Sequence, residues 1–495
     1  MTKSSDTGSL TENRPVRHTL GLTGVTINAM ALVAPGAFVW LLYQVQSAGS
    51  ISGSAEIWPG VLVAFSGALL TAISFGELAK RYPDAGFRSA YHFAEKAFQD
   101  HSHPHTKSLE LVGKFATGWA AHLYYWVYPG VMVAFSGILA DYLLRQFGFQ
   151  PTIWGQVVLA GGFAAFTGFL ALRGITGSST ASVVINIVQV ITLVIFSGLA
   201  ISFRLVNPLN IPINGWVNPS LRQMLLPNSL DGVIFQAALA MMLMTGFEAS
   251  TALGAVSKNP QRDIPRATIM ALIVQGVFVY LLEYFAIGFA YNNKIIVSAL
   301  SSAPVGDLSM QIGDVMLSGN GFTLMLVLAF AVVAALLGNA LTAMNNGVRI
   351  TFSMAMDNEM PDLMGFLDPK FATPYWAVIS LSVFSAIVGA FGLLGGMSAL
   401  MGIVLTVNIG ALALYAILCA LTMASFWGDQ QFNPVKHIVL PFLGIILNLG
   451  TILMVMKIGF QQGGTVGKSV LVACVIAGLW LLFSVAYFLR QRKVA

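Results

Sequence analysis

Two stretches of the chain put helix-breaking residues where a long apolar run would otherwise continue. The first is Ala34-Pro35-Gly36-Ala37, followed by Phe38, midway through GLTGVTINAMALVAPGAFVWLLYQ. Pro35 has no N–H and clashes with the preceding turn, and Gly36 tolerates almost any dihedral. A helix interrupted there offers unpaired C=O groups and the N–H groups of Gly36, Ala37 and Phe38 to a polar ligand. A simple proline kink is the plainer alternative. The second stretch is Thr245-Gly246 with Glu248 just beyond, in DGVIFQAALAMMLMTGFEASTALGAVSKNP. A carboxylate at the centre of a membrane helix costs roughly 2.5–3.5 kcal/mol on insertion scales. Glu248 must therefore face a cavity or a partner, either as a hydrogen-bonded structural carboxyl or as a group that biases gating or attracts a cation. Glu283, in the following apolar run, is a second intramembrane carboxyl with weaker context.

The elements that carry these residues follow from composition. Of 495 residues, 56% are hydrophobic and only 9% charged, against about a quarter charged in a soluble domain. So few charges cannot clothe a soluble chain of this length. A soluble enzyme, a disordered chain and a disulfide scaffold are excluded. The class that remains is an all-α polytopic membrane protein. Apolar windows of spanning length run over 19–45, 58–79, 113–142, 152–174, 179–205, 230–255, 268–292, 321–350, 375–396, 399–426, 436–457 and 468–490. These predict twelve transmembrane helices, which place both termini on one side. Nineteen of the 25 Lys and Arg fall on the terminus side and six on the other, so both termini are expected in the cytoplasm of a multi-pass protein of the inner (plasma) membrane. Residues 1–18 read as a cytoplasmic tail without a cleavable leader, 427–490 as the last two helices and 491–495 as a short cytoplasmic tail.

Other chemistry is thin. The formal charge of +5 is scattered and does not suggest nucleic-acid binding. No GxxxxGK[ST] motif offers ATP-driven transport. Cys419 and Cys474 lie in apolar runs and are expected to be buried free thiols. His101, His103 and His105 alternate on a polar loop, yet no Cys or acidic cluster completes a metal set. No metal and no cofactor are expected, and no Ser/His/Asp set suggests an enzyme.

The two breaks lie five spans apart, the spacing of a five-plus-five inverted repeat with discontinuous helices 1 and 6. Here the residues become recognisable. Gly246-Phe247-Glu248-Ala249 followed by Lys258-Asn259-Pro260-Gln261-Arg262-Asp263-Ile264-Pro265-Arg266-Ala267 resembles the amino acid–polyamine–organocation superfamily. Gly76-Glu77-Leu78 through Tyr82-Pro83-Asp84-Ala85-Gly86 resembles its block after span two. Arg349, Met354-Ala355-Met356-Asp357, Met360-Pro361 and Thr373-Pro374 resemble its block between spans eight and nine. The resemblance implies a leucine-transporter-like fold, with residues 19–426 as the inverted-repeat core and spans eleven and twelve outside it. It also implies secondary transport of amino acids by alternating access, with exchange as one coupling it admits. The alternative is a polyamine or organocation carrier, and a channel or receptor is a more distant class.

The resemblance also implies roles for residues. Backbone at Ala34, Pro35, Gly36, Ala37 and Phe38 would hold the substrate's polar head, and Thr245, Gly246 and Glu248 would complete the cage. Tyr125, of the Tyr125-Trp126 pair, matches a tyrosine that borders the site in arginine exchangers. Those exchangers carry a Trp where this chain has Met242, so cation–π contact with a guanidinium is lost. Some proton-coupled members carry a Lys in span five where Gln189 stands here. Gln cannot titrate, which argues against that proton mechanism and favours exchange or facilitation. The expected partners are a small-molecule substrate, a coupling ion and the lipid bilayer.

Overall fold

The structure, a computed structural model, describes residues 20–33, 36–50, 54–83, 90–99, 106–174, 179–216, 226–292 and 301–494. Among them there is no β-strand, only three isolated bridges. Ten helices are long and apolar enough to cross a membrane. They are α3 (Ile57–Arg81), α5 (Thr106–Gln146), α6 (Ile153–Leu172), α7 (Ser179–Val206), α9 (Pro260–Ala290), α11 (Gly321–Met356), α12 (Tyr375–Leu394), α13 (Gly396–Phe426), α14 (Val435–Gln462) and α15 (Gly464–Val494). Five shorter helices complete the numbering: α1 (Leu22–Val33), α2 (Gly36–Ala48), α4 (Ala90–Gln99), α8 (Leu230–Met244) and α10 (Pro304–Met316).

The sixth apolar run is not a continuous helix, and the first is described as two helical pieces, α1 up to Val33 and α2 from Gly36, on either side of residues 34 and 35, which lie outside the described residues. α8 stops at Met244, Thr245 is extended, and Gly246 takes φ 112°, in the left-handed region where a side chain would be strained. A 3₁₀ segment, Phe247–Val256, then continues. The pieces are stitched together across the bundle. α1 packs on the 3₁₀ segment, α7 and α9, and Lys258 N donates to Leu20 O at 2.8 Å. Ser229 Oγ accepts from Gly232 N at 3.0 Å and starts α8.

The hydropathy windows and the helices differ in instructive places. The seventh helix starts at Pro260, not near 268, because Asn259-Pro260 opens it with proline in its first turn. A hydropathy window cannot see a helical turn built from Gln261, Arg262 and Asp263. The same helix widens into a π-helix over Val274–Leu281. Two helices in the polar connections, α4 and α10, are amphipathic and were not expected; α4 buries Tyr91, His92, Phe93, Ala94 and Ala97. Cys419 is buried as expected, whereas Cys474 is half-buried; both are free.

α5 is the spine of the bundle and packs against α4, α6, α11, α12 and α13. It approaches α13 tightly at Gly410, where a Cβ would sit 2.8 Å from the backbone N of Tyr124. Gly410→Val should therefore lower the melting temperature of the detergent-solubilised protein, at the roughly 1–3 kcal/mol that overpacking costs. Gly450→Ala, which faces open space, should leave it unchanged; equal melting curves for both variants would refute the tight approach.

Candidate functional site

The break in the sixth run creates a polar centre around Glu248. Because Gly246 turns left-handed, its own N–H points back to the carboxylate and donates to Oε2 at 3.0 Å. Tyr415 Oη, from the middle of α13, donates to the same oxygen at 2.9 Å. Tyr125 Oη and Tyr124 Oη, both on α5, donate to Oε1 at 2.8 and 3.1 Å. A carboxylate has about four lone-pair sites, and here four donors meet it. Hydrogen bonds to a charged acceptor contribute about 1.5–3 kcal/mol each, so the group ties three helices together. All of these side chains are buried. The guanidinium of Arg349 on α11 is within electrostatic reach of Glu248 and Tyr125. Its Nη2 donates to Asn346 Oδ1 at 3.1 Å, and its Nε is buried without a partner.

The predicted residues divide into those this centre gathers and those it does not. Tyr125, Gly246 and Glu248 share the network. Thr245 ends α8 by donating from Oγ1 to Met242 O at 2.9 Å, so Met242 contributes a carbonyl while its side chain is fully buried in the core. Phe38 is also fully buried. It meets the edge of Tyr128 at 6.3 Å, and Tyr128 meets Tyr124 at 5.8 Å, a ring contact path from the first run to the Glu248 centre. Gly36 and Ala37 begin α2, while Ala34 and Pro35 lie outside the described residues. Gln189 is buried on α7, the helix that packs against α1. Its Oε1 has no partner, and no hydrogen bond among the described residues joins it to Glu248. The alternating histidines of the 101–105 loop lie outside the described residues; among those described, no group of His, Cys, Asp and Glu could hold a metal.

Sequence reasoning did not select Tyr124, Tyr415 or Arg349 for the site. Tyr415 carried a signal, being a lone phenol inside the apolar helix α13, since a buried hydroxyl needs a partner. Arg349 was noted as a family residue and not as a neighbour of the sixth run.

A second polar cluster closes the end of the bundle that is rich in Lys and Arg. Lys114 Nζ meets Asp357 Oδ2 at 2.5 Å and Glu95 Oε2 at 3.9 Å. Tyr91 Oη donates to the same Asp357 oxygen at 3.0 Å. These contacts join α4, α5 and the end of α11. Glu359 follows, mostly buried. Burial raises its carboxyl from the usual 4.5 to about 7, against the opposing pull of Tyr91 and Lys114, while Asp357 adds to the rise. On the neighbouring side, Arg81 Nη1 pairs with Asp429 Oδ2 at 2.5 Å, and Lys436 and His437 approach Glu77. The charge-bearing loops therefore pair among themselves and not with the Glu248 centre.

The profile of the family described as Amino acid permease matches residues 18–480. The low-affinity putrescine importer PlaP of Escherichia coli (strain K12) is 23% identical over 448 residues, 87% of each chain. The branched-chain amino acid permease BcaP of Bacillus subtilis (strain 168) is 22% identical over 499 residues, covering 97% of this chain and 94% of its own. The cationic amino acid transporter 4, vacuolar, of Arabidopsis thaliana is 27% identical over 341 residues; that match covers 66% of this chain and half of the plant protein.

Two outcomes follow for the polar clusters. Glu248→Gln puts an NH₂ donor among four donors, whereas Tyr415→Phe removes one donor and leaves the rest. The Gln variant should lose more melting temperature than Tyr415→Phe, which should cost about 1.5–3 kcal/mol; the reverse order would show that Glu248 is not the hub. For Glu359, the folded chain between about 4.5 and about 7 holds a proton that the unfolded chain has released. This stabilising term is complete below the lower value and is lost as pH rises through the upper one. The melting temperature of Glu359→Gln should gain on the wild type as pH climbs across that window, and parallel curves would exclude the effect.

Proposed function

Because the chain belongs to the amino acid permease family, within the amino acid–polyamine–organocation superfamily, we propose that it is a secondary transporter of amino acids working by alternating access. Ten continuous spans together with the first and sixth runs make twelve transmembrane helices. On this reading spans one to five and six to ten are the inverted repeats, and α14 and α15 lie outside them. Both termini are cytoplasmic and the membrane is the inner (plasma) membrane. The observation that carries the reading is the break of α8 at Gly246 around the buried Glu248, with the Phe38–Tyr128–Tyr124–Glu248 contacts linking it to α2 of the first run. In a membrane, open backbone is tolerated only where it is buried or lines a cavity, and transporters place substrate there.

Substrate lies between the two breaks. Backbone over residues 34–38 receives its polar head, the Thr245–Glu248 turn completes the cage, and Tyr125 borders it. Glu248 fastens the sixth-run turn to α5 and α13 and acts as a gate tie. With all its acceptor positions in use, it is not a free counter-ion, which supports an α-amino acid over an organocation. The named relatives include both kinds: one is called a branched-chain amino acid permease and another a putrescine importer. A polyamine carrier is therefore the second reading.

A thermal-shift screen of the detergent-purified protein separates the two. The panel is the natural amino acids, their decarboxylated amines and the common polyamines. A ligand at a hundred times its Kd stabilises by about 2.7 kcal/mol. Amino acids should raise the melting temperature and their amines should not. Stabilisation by amines or polyamines alone would overturn the amino acid reading.

A further inference from the structure

One buried carboxyl plays no part in the network above. Glu283 lies in α9 two residues past the π-helical stretch Val274–Leu281. It is 1% exposed, and among the described residues neither of its oxygens has a hydrogen-bond partner. No ion pair among the described residues includes it. Its segment touches both α1 and α2 of the first run: Gln275 Nε2 donates to Met30 O at 2.5 Å, and Tyr284 Oη donates to Phe38 O at 3.5 Å. Trp58 Nε1 of α3 donates to Leu281 O at 2.8 Å, where the helix returns from π to α register. Such π turns recur at functional sites because they re-aim the side chains that follow.

The ionisable groups on the surrounding elements do not compensate a charge here. They are Tyr280 and Tyr284 on the same helix, Tyr43 on α2, Tyr128 on α5, Arg204 on α7, Tyr291 just beyond α9 and Glu56 just before α3. Arg204 directs Nη1 to Phe289 O at 2.7 Å and lies 4.1 Å from the Phe289 ring centre. Tyr43 packs against Tyr284 and Tyr291 with ring centroids 5.4 and 5.5 Å apart, which leaves no gap between those rings for an organic cation. A carboxylate buried without donor or cation is neutralised, because the ionised form loses its hydration and gains nothing. A carboxylic acid kept for structure would have its polar atoms paired, and this one does not. The ligand that needs no extra room and answers the bare carboxyl is a proton.

We propose that Glu283 is a proton-binding site of the transport cycle, loaded in this conformation and discharged to water when movement of α1 and α2 opens its surroundings. The proposal rests on the secondary-transport reading above and adds the coupling ion. Gln189 removes the span-five route for a proton; Glu283 supplies a different one.

Two measurements test it. Infrared difference spectra of the purified full chain at neutral pH, wild type against Glu283→Gln, should show a protonated-carboxyl C=O band that the substitution removes and that Glu283→Asp moves without abolishing. This readout needs no substrate. In proteoliposomes, uptake of L-leucine, L-methionine or putrescine driven by an inward proton gradient should fall about tenfold in Glu283→Gln, while counterflow of the same probe at equal pH stays near wild type. An unchanged infrared difference overturns the proposal, and so does full gradient-driven uptake by the variant. If the wild type exchanges none of the three probes, the transport reading for those substrates fails, and the infrared band decides this proposal alone.

Discussion

A carboxylate inside a membrane bundle has to be met by donors, and the way Glu248 is met organises the helices around it. Its four donors come from three elements: the Gly246 N–H of its own turn, Tyr124 and Tyr125 of α5, and Tyr415 of α13. Each depends on a separate local device. The Gly246 donor exists because φ 112° reverses the chain there. The two tyrosines come together as neighbours on one helix, with rings 4.2 Å apart. Tyr415 reaches across because Gly410, little more than a turn earlier in α13, has no side chain to hold it off α5. Removing any one device leaves the others with a buried acceptor to satisfy, which makes the centre cooperative.

The same accounting explains the amides at membrane depth. With no water in the bilayer core, a polar side chain in an apolar helix must find its partners within the protein. Gln236 donates to Gln46 O, Gln275 to Met30 O, and Asn408 to Ala238 O and Leu239 O. Each amide crosses from one element to another and lands on the first or sixth run. These side chains look like isolated polar blemishes in apolar helices. In the structure they fasten the first and sixth runs to their neighbours.

Much of this was legible in the sequence, and the rest was hidden for definite reasons. Hydropathy gave the long helices because a spanning segment must be apolar over its whole length. Gly246 and Glu248 were legible as a break and a carboxyl, since both are costly in a continuous membrane helix. The partners of Glu248 were not, because which phenol reaches it depends on helix packing; Tyr125 was found through family resemblance, and Tyr124 and Tyr415 were not chosen. The amphipathic helices α4 and α10 escaped because their burial is against protein, with no requirement for an unbroken apolar run. Lys114, Asp357 and Tyr91 could not be joined from sequence, since the ion pair spans 243 positions.

The two intramembrane carboxyls show why depth alone does not assign a role. Glu248 and Glu283 are both buried in apolar helices, and each would bear a similar insertion cost. One is surrounded by donors, so its energetics are local and mechanical: freeing the sixth-run turn from α5 and α13 requires new donors to replace the old ones, from water or a ligand. The other has no donor, so its energetics are set by whether a cation or proton reaches it. The first run touches both surroundings, through the Phe38–Tyr128 contact on one side and the Phe38 carbonyl, which accepts from Tyr284, on the other. On the transport reading proposed above, a displacement of α2 would therefore be felt at the Glu248 tie and beside Glu283 together, because Phe38 is placed between α5 and α9.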